Sequence, residues 1–364
     1  MKKHGLFLSL YPAPYRIELY NRIANEYEID VILEKLSGDS RNQEWFQKGK
    51  YYVLEDKDGL TEYKNKLQRI SDYQFVALYE YASTESIKLI YKCRRYKIPY
   101  IINCDGVMME KHGNFVRDII KRYLIKGAAG YFASGEKAKQ YFLKYGADES
   151  KIHIHTFSEL EVDDILKEPL TAIRKAELRS KLGLPVAQKI VIAVGRFIPL
   201  KRYGELIRAW KDIPDDYTLL LIGGGSEEEN YRNIIKDNHI DNVIIHDFML
   251  KDELFDYYKA ADIFVHPTSY DVWGLVVNEA MACGLPVVVS DHCVAGLELI
   301  ENGENGYQIP MGNDRELCDR VVEVLSNPAL YDKMSHKVLE TIRPYTMRNM
   351  ARVQINAIKE IIGE

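Results

Sequence analysis

The segment IFVHPTSYDVWGLVVNEAMACGLPVVVS, residues 263–290, decides the fold of the protein. An apolar run, a polar loop, a helical pattern and a second apolar run follow one another, which predicts a strand, a loop, a helix and a strand. Gly274 stands where the loop becomes the helix. The backbone N–H groups of Leu275 and Val276 would then point out of the helix N-terminus, which is a favourable position for an anion.

Two carboxylates belong to the same segment. Asp271 lies in the loop, and Glu279 lies about a turn and a half into the helix. Both can therefore border one crevice at the carboxyl end of the strands, where open α/β sheets bind ligands. The alternative is an ordinary strand–helix–strand unit in which Glu279 is a solvated helix residue.

The rest of the chain repeats this alternation of short apolar runs and longer helical patterns, which is typical of parallel α/β sheets. The predicted strands are residues 6–10, 30–33, 75–78, 100–103, 130–133, 190–194, 218–222, 243–246, 263–266 and 286–290. We therefore predict two doubly wound domains, residues 1–168 and residues 169–344. Pro169 and the turn Gly183-Leu184-Pro185 mark the boundary. The helical pattern of residues 345–364 predicts a C-terminal helix that packs back on the first domain.

Two further strand ends of the second domain carry residues suited to phosphate binding. Gly195-Arg196 is followed by Lys201, and this pair of cations suits a diphosphate, which arginine binds as a fork and lysine as a point charge. A solvated basic turn is the alternative. Gly223-Gly224-Gly225 lets the backbone approach a ligand or simply makes a tight turn. It is not a dinucleotide fingerprint, because Glu228 occupies the third glycine position.

These segments together resemble glycosyltransferase family 4, whose members are retaining enzymes of the GT-B fold with nucleotide-sugar donors. The resemblance also rests on His246-Asp-Phe-Met249 and on the Ala-Met-Ala-Cys-Gly-Leu-Pro run after Glu279. It is close over residues 190–310 and loose over residues 1–165. It implies two Rossmann-like, doubly wound parallel-sheet domains facing a cleft, with the donor on the second domain and the acceptor mostly on the first. The amino-acid sequence of residues 270–279 resembles that of bacterial capsule, exopolysaccharide and lipopolysaccharide glycosyltransferases.

The resemblance implies a role for each matching residue. The implied donor-binding residues of the second domain are Arg196, Lys201, Gly223, Gly224, Phe248, Met249, Gly274, Leu275, Val276 and Glu279. The two cations would hold the diphosphate, the residues at the helix start would meet the phosphate and sugar, and Phe248 and Met249 would flank the base. Glu279 would bind the ribose hydroxyls, and Asp271 would contact the transferred sugar as a catalytic residue. The family usually has Glu where this chain has Asp271, so the carboxylate reaches one methylene less.

The first domain departs further from the family pattern. Many relatives have Gly-Gly after the first strand, whereas this chain reads Tyr11-Pro-Ala-Pro-Tyr-Arg16. Arg16 is the candidate for a positive contact to the donor, with a plain helix-start residue as the alternative. Relatives often place a histidine after a middle strand, and Asp105 is the second catalytic candidate for that place. Its alternative is a simple Asp-Gly turn.

No cofactor is predicted beyond the nucleotide-sugar donor, for which a UDP- or GDP-sugar is expected. Asp56-Lys57-Asp58 matches the Asp-x-Asp that the other large glycosyltransferase fold uses for manganese, but a three-residue match beside a glycine turn is weak. Cationic side chains and a helix dipole can neutralise the departing diphosphate instead. We therefore predict metal-independent transfer.

The amino-acid composition limits the classes of binding partner and the cellular compartment that we expect for this protein. A net charge of −5 disfavours nucleic acid, and five cysteines without paired spacing argue against disulfides and zinc, which indicates a cytoplasmic location. Residues 115–126 alternate apolar and basic positions at helical spacing. They could lie peripherally on the inner face of the cell membrane, or pack on the first domain. The family implies a glycan or a lipid-linked oligosaccharide as acceptor.

These observations favour a retaining glycosyltransferase that acts in bacterial cell-surface polysaccharide biosynthesis. Two other functions stay open at this stage. One is a catalytically silent nucleotide-sugar-binding scaffold, which the glycine-free first loop and the Asp271 substitution motivate. The other is a GT-B epimerase that acts on a nucleotide sugar.

Overall fold

The computed structural model describes residues 2–36, 50–108 and 115–364. The chain divides into two compact units, of which the first comprises Met1–Glu159 with Thr346–Glu364 and the second comprises Leu160–Tyr345. The second unit begins before the predicted boundary at residue 169, because the segment ahead of that residue is bonded to it. The Leu166 N–H donates to the Ala282 carbonyl over 2.9 Å, and Lys251 forms an ion pair with Asp164.

The first unit contains a seven-stranded sheet in which every neighbouring pair is parallel. Its strands are β1 His4–Ser9, β2 Glu28–Leu33, β3 Tyr52–Val53, β4 Phe75–Leu78, β5 Tyr100–Cys104, β6 Gly130–Ala133 and β7 Ile152–Ile154. Its helices are α1 Pro14–Ala24, α2 Lys57–Gln68, α3 Thr84–Tyr96, α4 Phe115–Ile125, α5 Glu136–Lys144 and, at the end of the chain, α14 Met347–Ile362. The strand order is β3-β2-β1-β4-β5-β6-β7.

The second unit contains a six-stranded parallel sheet. Its strands are β8 Lys189–Val194, β9 Tyr217–Ile222, β10 Val243–His246, β11 Ile263–His266, β12 Val287–Ser290 and β13 Gly306–Ile309. Its helices are α6 Ala172–Leu182, α7 Tyr203–Trp210, α8 Glu228–Asp237, α9 Lys251–Ala260, α10 Leu275–Ala282, α11 Val294–Leu299, α12 Asp314–Ser326 and α13 Pro328–Ile342. The strand order is β10-β9-β8-β11-β12-β13.

Two Rossmann-like, doubly wound parallel sheets are thus confirmed, and the predicted strands are present within one or two residues of their expected ends. The sequence did not reveal β3, β7 and β13, which all lie at sheet edges. An edge strand is covered less completely, so its sequence carries a weaker apolar signal. The central strands show the opposite, since Leu6, Phe7 and Leu8 of β1 are fully buried.

The topology fixes where a ligand can bind in each unit. The chain order reverses between β1 and β4 in the first sheet and between β8 and β11 in the second. Ligands of open α/β sheets bind at the carboxyl ends of the strands at such a reversal. The loops after β8 and β11 are therefore the expected ligand-binding loops of the second unit.

The last helix, α14, returns to the first unit and packs against α1, β6 and β7. The Tyr79 hydroxyl donates to Oε1 of Gln354 on this helix over 2.6 Å. Within the part of the chain that the structure describes, none of the helices has the length and apolar character needed to span a bilayer.

Candidate functional site

The loops after β8 and β11 are bonded to each other. The Ser269 N–H and the Thr268 hydroxyl donate to the Leu200 carbonyl over 2.8 and 3.0 Å. The Ser290 hydroxyl at the end of β12 donates in turn to the Thr268 carbonyl. Three neighbouring strand ends are therefore held together, and they bring distant segments of the sequence into one site.

Three titratable side chains meet at this edge. The Lys201 ammonium contacts Oδ2 of Asp271, and Nε2 of His266 lies 3.1 Å from the same oxygen. The Lys201 ammonium also lies 3.5 Å from Nε2 of His266. The side chains of Lys201 and Asp271 are 11% and 21% exposed, whereas His266 is fully buried. The carboxylate thus reaches the surface while its partners lie beneath it.

Burial and charge set the protonation of this group. Burial by itself would raise the pKa of Asp271, but the Lys201 cation and the hydrogen bond from His266 outweigh it and hold the pKa well below its usual range. Burial, together with the Lys201 charge, lowers the pKa of His266. The arrangement at neutral pH is therefore a lysine cation, an aspartate anion and a neutral imidazole.

The start of α10 lies beside this carboxylate. Gly274 has a φ of +99°, which is favourable only for glycine, and a Cβ atom there would lie 2.7 Å from Sγ of Cys293. As a glycine, this N-cap residue has no side chain that could cap the helix. The first backbone N–H groups of the helix, those of Leu275 and Val276, lie at the helix end that is favourable for an anionic ligand.

Glu279 lies one turn further along α10 and is buried. The Tyr258 hydroxyl from α9 donates to its Oε2 over 2.9 Å. Burial, and then the Glu279 charge, raise the pKa of Tyr258 well above its usual value, so this phenol stays a donor. The solvated helix residue considered above is excluded, because Glu279 is only 7% exposed.

The glycines after β9 have a packing role as well. A Cβ atom on Gly223 would lie 1.9 Å from the Gly195 carbonyl oxygen, and one on Gly225 would lie 2.5 Å from the Phe197 carbonyl oxygen. The β9 turn therefore requires glycine at both positions to approach the loop after β8. Of the three glycines in this turn, Gly224 alone faces open space.

The remaining predicted donor contacts lie at neighbouring strand ends. Arg196 follows β8 and is half-buried. Phe248 and Met249 follow β10, and Phe248 is exposed. An exposed aromatic side chain beside the sheet edge suits stacking on a planar base.

An aspartate after β5 of the first unit is also paired with a cation. The Arg16 guanidinium contacts Oδ2 of Asp105, and Nδ2 of Asn103 donates to Oδ1 over 2.7 Å. The Arg16 guanidinium carbon also lies 4.3 Å from the ring centre of Tyr79. Arg16 is only 3% exposed, whereas the Asp105 side chain is 23% exposed. The structure therefore places Arg16 beneath Asp105 as its partner, and Asp105 is the group that reaches the surface.

Three buried residues of these two sheet edges were missed in the sequence. They are His266 at the end of β11, Tyr258 on α9 and His155 directly after β7. Burial lowers the pKa of His155 to about 4. The sequence offered one usable signal, since His266 ends an apolar strand inside the most informative segment.

Asp56 and Asp58 belong to a helix start. Asp56 is the residue before α2 and Asp58 lies in its first turn, where carboxylates interact favourably with the helix dipole. Among the described residues, no group of three histidine, cysteine, aspartate or glutamate side chains could hold a metal ion.

Comparison with known proteins identifies a family model and several relatives that this chain matches. Residues 174–340 match the family model of glycosyl transferases group 1. The D-inositol 3-phosphate glycosyltransferase of Xylanimonas cellulosilytica is 32% identical over 171 residues, which are 45% of this chain and 40% of that protein. The chain spans about half the length of the curated relatives it matches.

Solved structures match nearly the whole chain. The structure of Anabaena HepE in complex with UDP has a TM-score of 0.79 and 17% identity, and the match covers 99% of this chain and 100% of that one. The lipopolysaccharide outer core galactosyltransferase WaaB has a TM-score of 0.71 and 15% identity, with 98% and 99% covered. These matches confirm the GT-B fold that the sequence predicts.

Proposed function

We propose that this chain is a retaining glycosyltransferase, since residues 174–340 match the family model of glycosyl transferases group 1. It transfers a sugar from a UDP- or GDP-sugar to an acceptor hydroxyl. The observation that carries the proposal is the partly exposed Asp271, held by Lys201 and His266 beside the uncapped start of α10.

Donor binding follows from the charges at this edge. A nucleotide sugar brings a diphosphate, for which Arg196, Lys201 and the N–H groups at the start of α10 are suitable partners. Glu279 is assigned to the ribose hydroxyls, since a carboxylate accepts hydrogen bonds from two adjacent hydroxyls. Phe248 is assigned to the base.

The reaction breaks the bond between the anomeric carbon and the diphosphate oxygen and forms a bond to the acceptor oxygen on the same face. The acceptor proton passes to the leaving phosphate oxygen. Asp271 is assigned to the transferred sugar, where positive charge develops at the anomeric carbon. Lys201, Arg196 and the dipole of α10 neutralise the leaving diphosphate, so the transfer needs no metal. The first unit, with Asp105 at its sheet edge, is assigned to the acceptor and the sugar it meets.

The donor and the pathway are supported by what the similar proteins are. HepE was solved with UDP, so UDP-sugars are the first donors to test. WaaB is a lipopolysaccharide galactosyltransferase, which favours a glycan or lipid-linked oligosaccharide acceptor in cell-surface polysaccharide biosynthesis.

Helix α4 supports contact with the cytoplasmic face of a membrane. Its buried residues, Leu124 and Ile125, lie at its end, and its exposed apolar side chains are Phe115, Val116, Ile119, Ile120 and Tyr123. Cations accompany them at Arg117, Lys121, Arg122 and Lys126. Exposed apolar groups flanked by cations suit an anionic lipid surface.

A donor screen tests the proposed activity. Purified protein is incubated with labelled UDP- and GDP-sugars, in EDTA and without acceptor, and thermal stability and products are measured. A donor at 100 times its dissociation constant should stabilise the protein by about 2.7 kcal/mol, and a transferase should release free sugar slowly. Arg196→Ala should weaken the shift, whereas Lys211→Ala, at an exposed lysine of the same unit, should not. An epimerised donor would indicate the epimerase, and binding without turnover would indicate the silent scaffold.

Vesicle sedimentation tests the α4 surface. Vesicles that contain anionic lipid should bind the protein, and neutral vesicles should not. Ile119→Asp should abolish this binding, whereas Ile173→Asp, at an exposed isoleucine of α6, should leave it unchanged. Equal binding to both kinds of vesicle would contradict the electrostatic part of the proposal.

A further inference from the structure

We propose that His266 is a positioning residue, which holds one oxygen of Asp271 so that the other oxygen meets the donor sugar. The inference rests on the proposed function, since only a glycosyl donor gives Asp271 a substrate. His266 itself is fully buried and acts through the carboxylate.

The contacts on Asp271 are unequal. Lys201 and His266 both contact Oδ2, and no hydrogen bond to Oδ1 occurs among the described residues. The backbone of Asp271 is held as well, because its N–H donates to the His292 carbonyl over 2.9 Å. With the backbone and Oδ2 fixed, the direction of Oδ1 is fixed too, and Oδ1 is the oxygen left for a sugar hydroxyl.

The imidazole must donate from Nε2. A carboxylate only accepts hydrogen bonds, so the contact of 3.1 Å requires a proton on Nε2. The imidazole is neutral at pH 7, because burial and the Lys201 charge lower its pKa. Its Nδ1 is then an acceptor, and this buried atom has no hydrogen-bond partner among the described residues. Within the part of the chain that the structure describes, the polar contacts of the ring are thus those to Lys201 and Asp271.

His266 matters most when the donor is bound. Lys201 is shared, because its ammonium neutralises Asp271 here and is also assigned to the donor diphosphate. As the ammonium turns toward the phosphates, Asp271 loses part of this contact and keeps the hydrogen bond from His266. The imidazole cannot follow, because it is buried and stacked on Phe264 at a ring distance of 5.9 Å. It therefore holds Asp271 in place throughout the reaction.

Three substitutions separate positioning from packing. His266→Leu removes the hydrogen-bond donor of the imidazole but fills a similar volume. His266→Gln places an amide N–H near the position of Nε2, whereas His266→Asn places it near Nδ1, too far from the carboxylate. Each variant is compared with the wild type for kcat, donor KM and melting temperature. His153→Leu, at a half-buried histidine of the first unit, is the control for the loss of an imidazole.

The expected result is a change in kcat without a matching change in donor KM. His266→Leu and His266→Asn should lower kcat about tenfold or more, which corresponds to the loss of a hydrogen bond to a charged group. His266→Gln should retain most of the wild-type kcat. In an Asp271→Asn background, where the charge is gone, His266→Leu should lower kcat much less.

Three outcomes would overturn the inference. Equal losses in His266→Gln and His266→Leu would assign the imidazole to packing, and so would a full effect in the Asp271→Asn background. If His266→Leu fails to fold, the comparison of the Gln and Asn variants decides alone. A wild type that neither transfers nor hydrolyses any nucleotide sugar would refute the proposed function itself, whereas an active wild type with unaffected variants would refute only the role of His266.

Discussion

Lys201→Met should destabilise the second unit and weaken donor binding together, because one ammonium serves the fold and the site. Removing one partner of a buried ion pair costs about 3–5 kcal/mol, since the other charge stays behind. The Asp271 side chain is 21% exposed and keeps the hydrogen bond from His266. We therefore expect a smaller loss than this, about 2–3 kcal/mol in the free energy of unfolding.

The assay has to report on the second unit alone, because a chain of two units need not unfold in one step. Two of the three tryptophans, Trp210 and Trp273, are buried in the second unit. Trp45 lies outside the described residues, so the measurement uses a Trp45→Phe background. Urea unfolding followed by fluorescence then reports on the second unit, and Lys211→Met, at an exposed lysine, should change the free energy of unfolding by less than about 0.5 kcal/mol.

The contribution of Asp271 to the free energy of unfolding should depend on pH with a definite sign. The pKa of Asp271 is held below its unfolded value, so its contribution to stability is present above about pH 4 and is lost as the pH falls toward the folded pKa. The difference between wild type and Lys201→Met should therefore be constant between about pH 7 and 8, where the His266 imidazole is neutral, and should be smaller below about pH 4. A difference that is unchanged in acid would refute the assignment to the ion pair. So would additive losses in Lys201→Met and Asp271→Asn, because paired charges must show coupling.

Further tests address the helix start, the two carboxylates and the diphosphate. Gly274→Ala should cost more stability than Gly303→Ala, since both residues have positive φ but a Cβ atom meets a cysteine sulfur only at Gly274; equal melting temperatures would contradict this. In steady-state kinetics, Asp271→Asn should mainly lower kcat and Glu279→Gln should mainly raise donor KM, whereas the reverse pattern would exchange their roles. Arg196→Ala should raise donor KM about tenfold or more. Wild-type turnover should persist in EDTA. If EDTA abolished turnover and manganese restored it, the mechanism would be metal-dependent and the prediction would be wrong.

The segment 263–290 was sufficient to predict the strand, loop, helix and strand that the structure contains, because its apolar periodicity changes within one short stretch. It also predicted that Gly274 starts a helix, since glycine there is followed at once by the helical pattern. It did not reveal that Glu279 is buried against Tyr258, because burial depends on which helix packs beside α10. The same limit applied to Arg16, whose burial beneath Asp105 depends on strand ends far apart in the sequence.

The sequence by itself determined the two parallel sheets, the strand ends that carry polar residues and the match of residues 174–340 to the glycosyl transferases group 1 model. These features depend on local periodicity and on short motifs, which are properties of neighbouring residues. Only the tertiary structure decided that Lys201, His266 and Asp271 meet at one carboxylate oxygen. Their contact requires two strands that are far apart in the chain to be neighbours in the sheet, and sequence spacing does not determine that order.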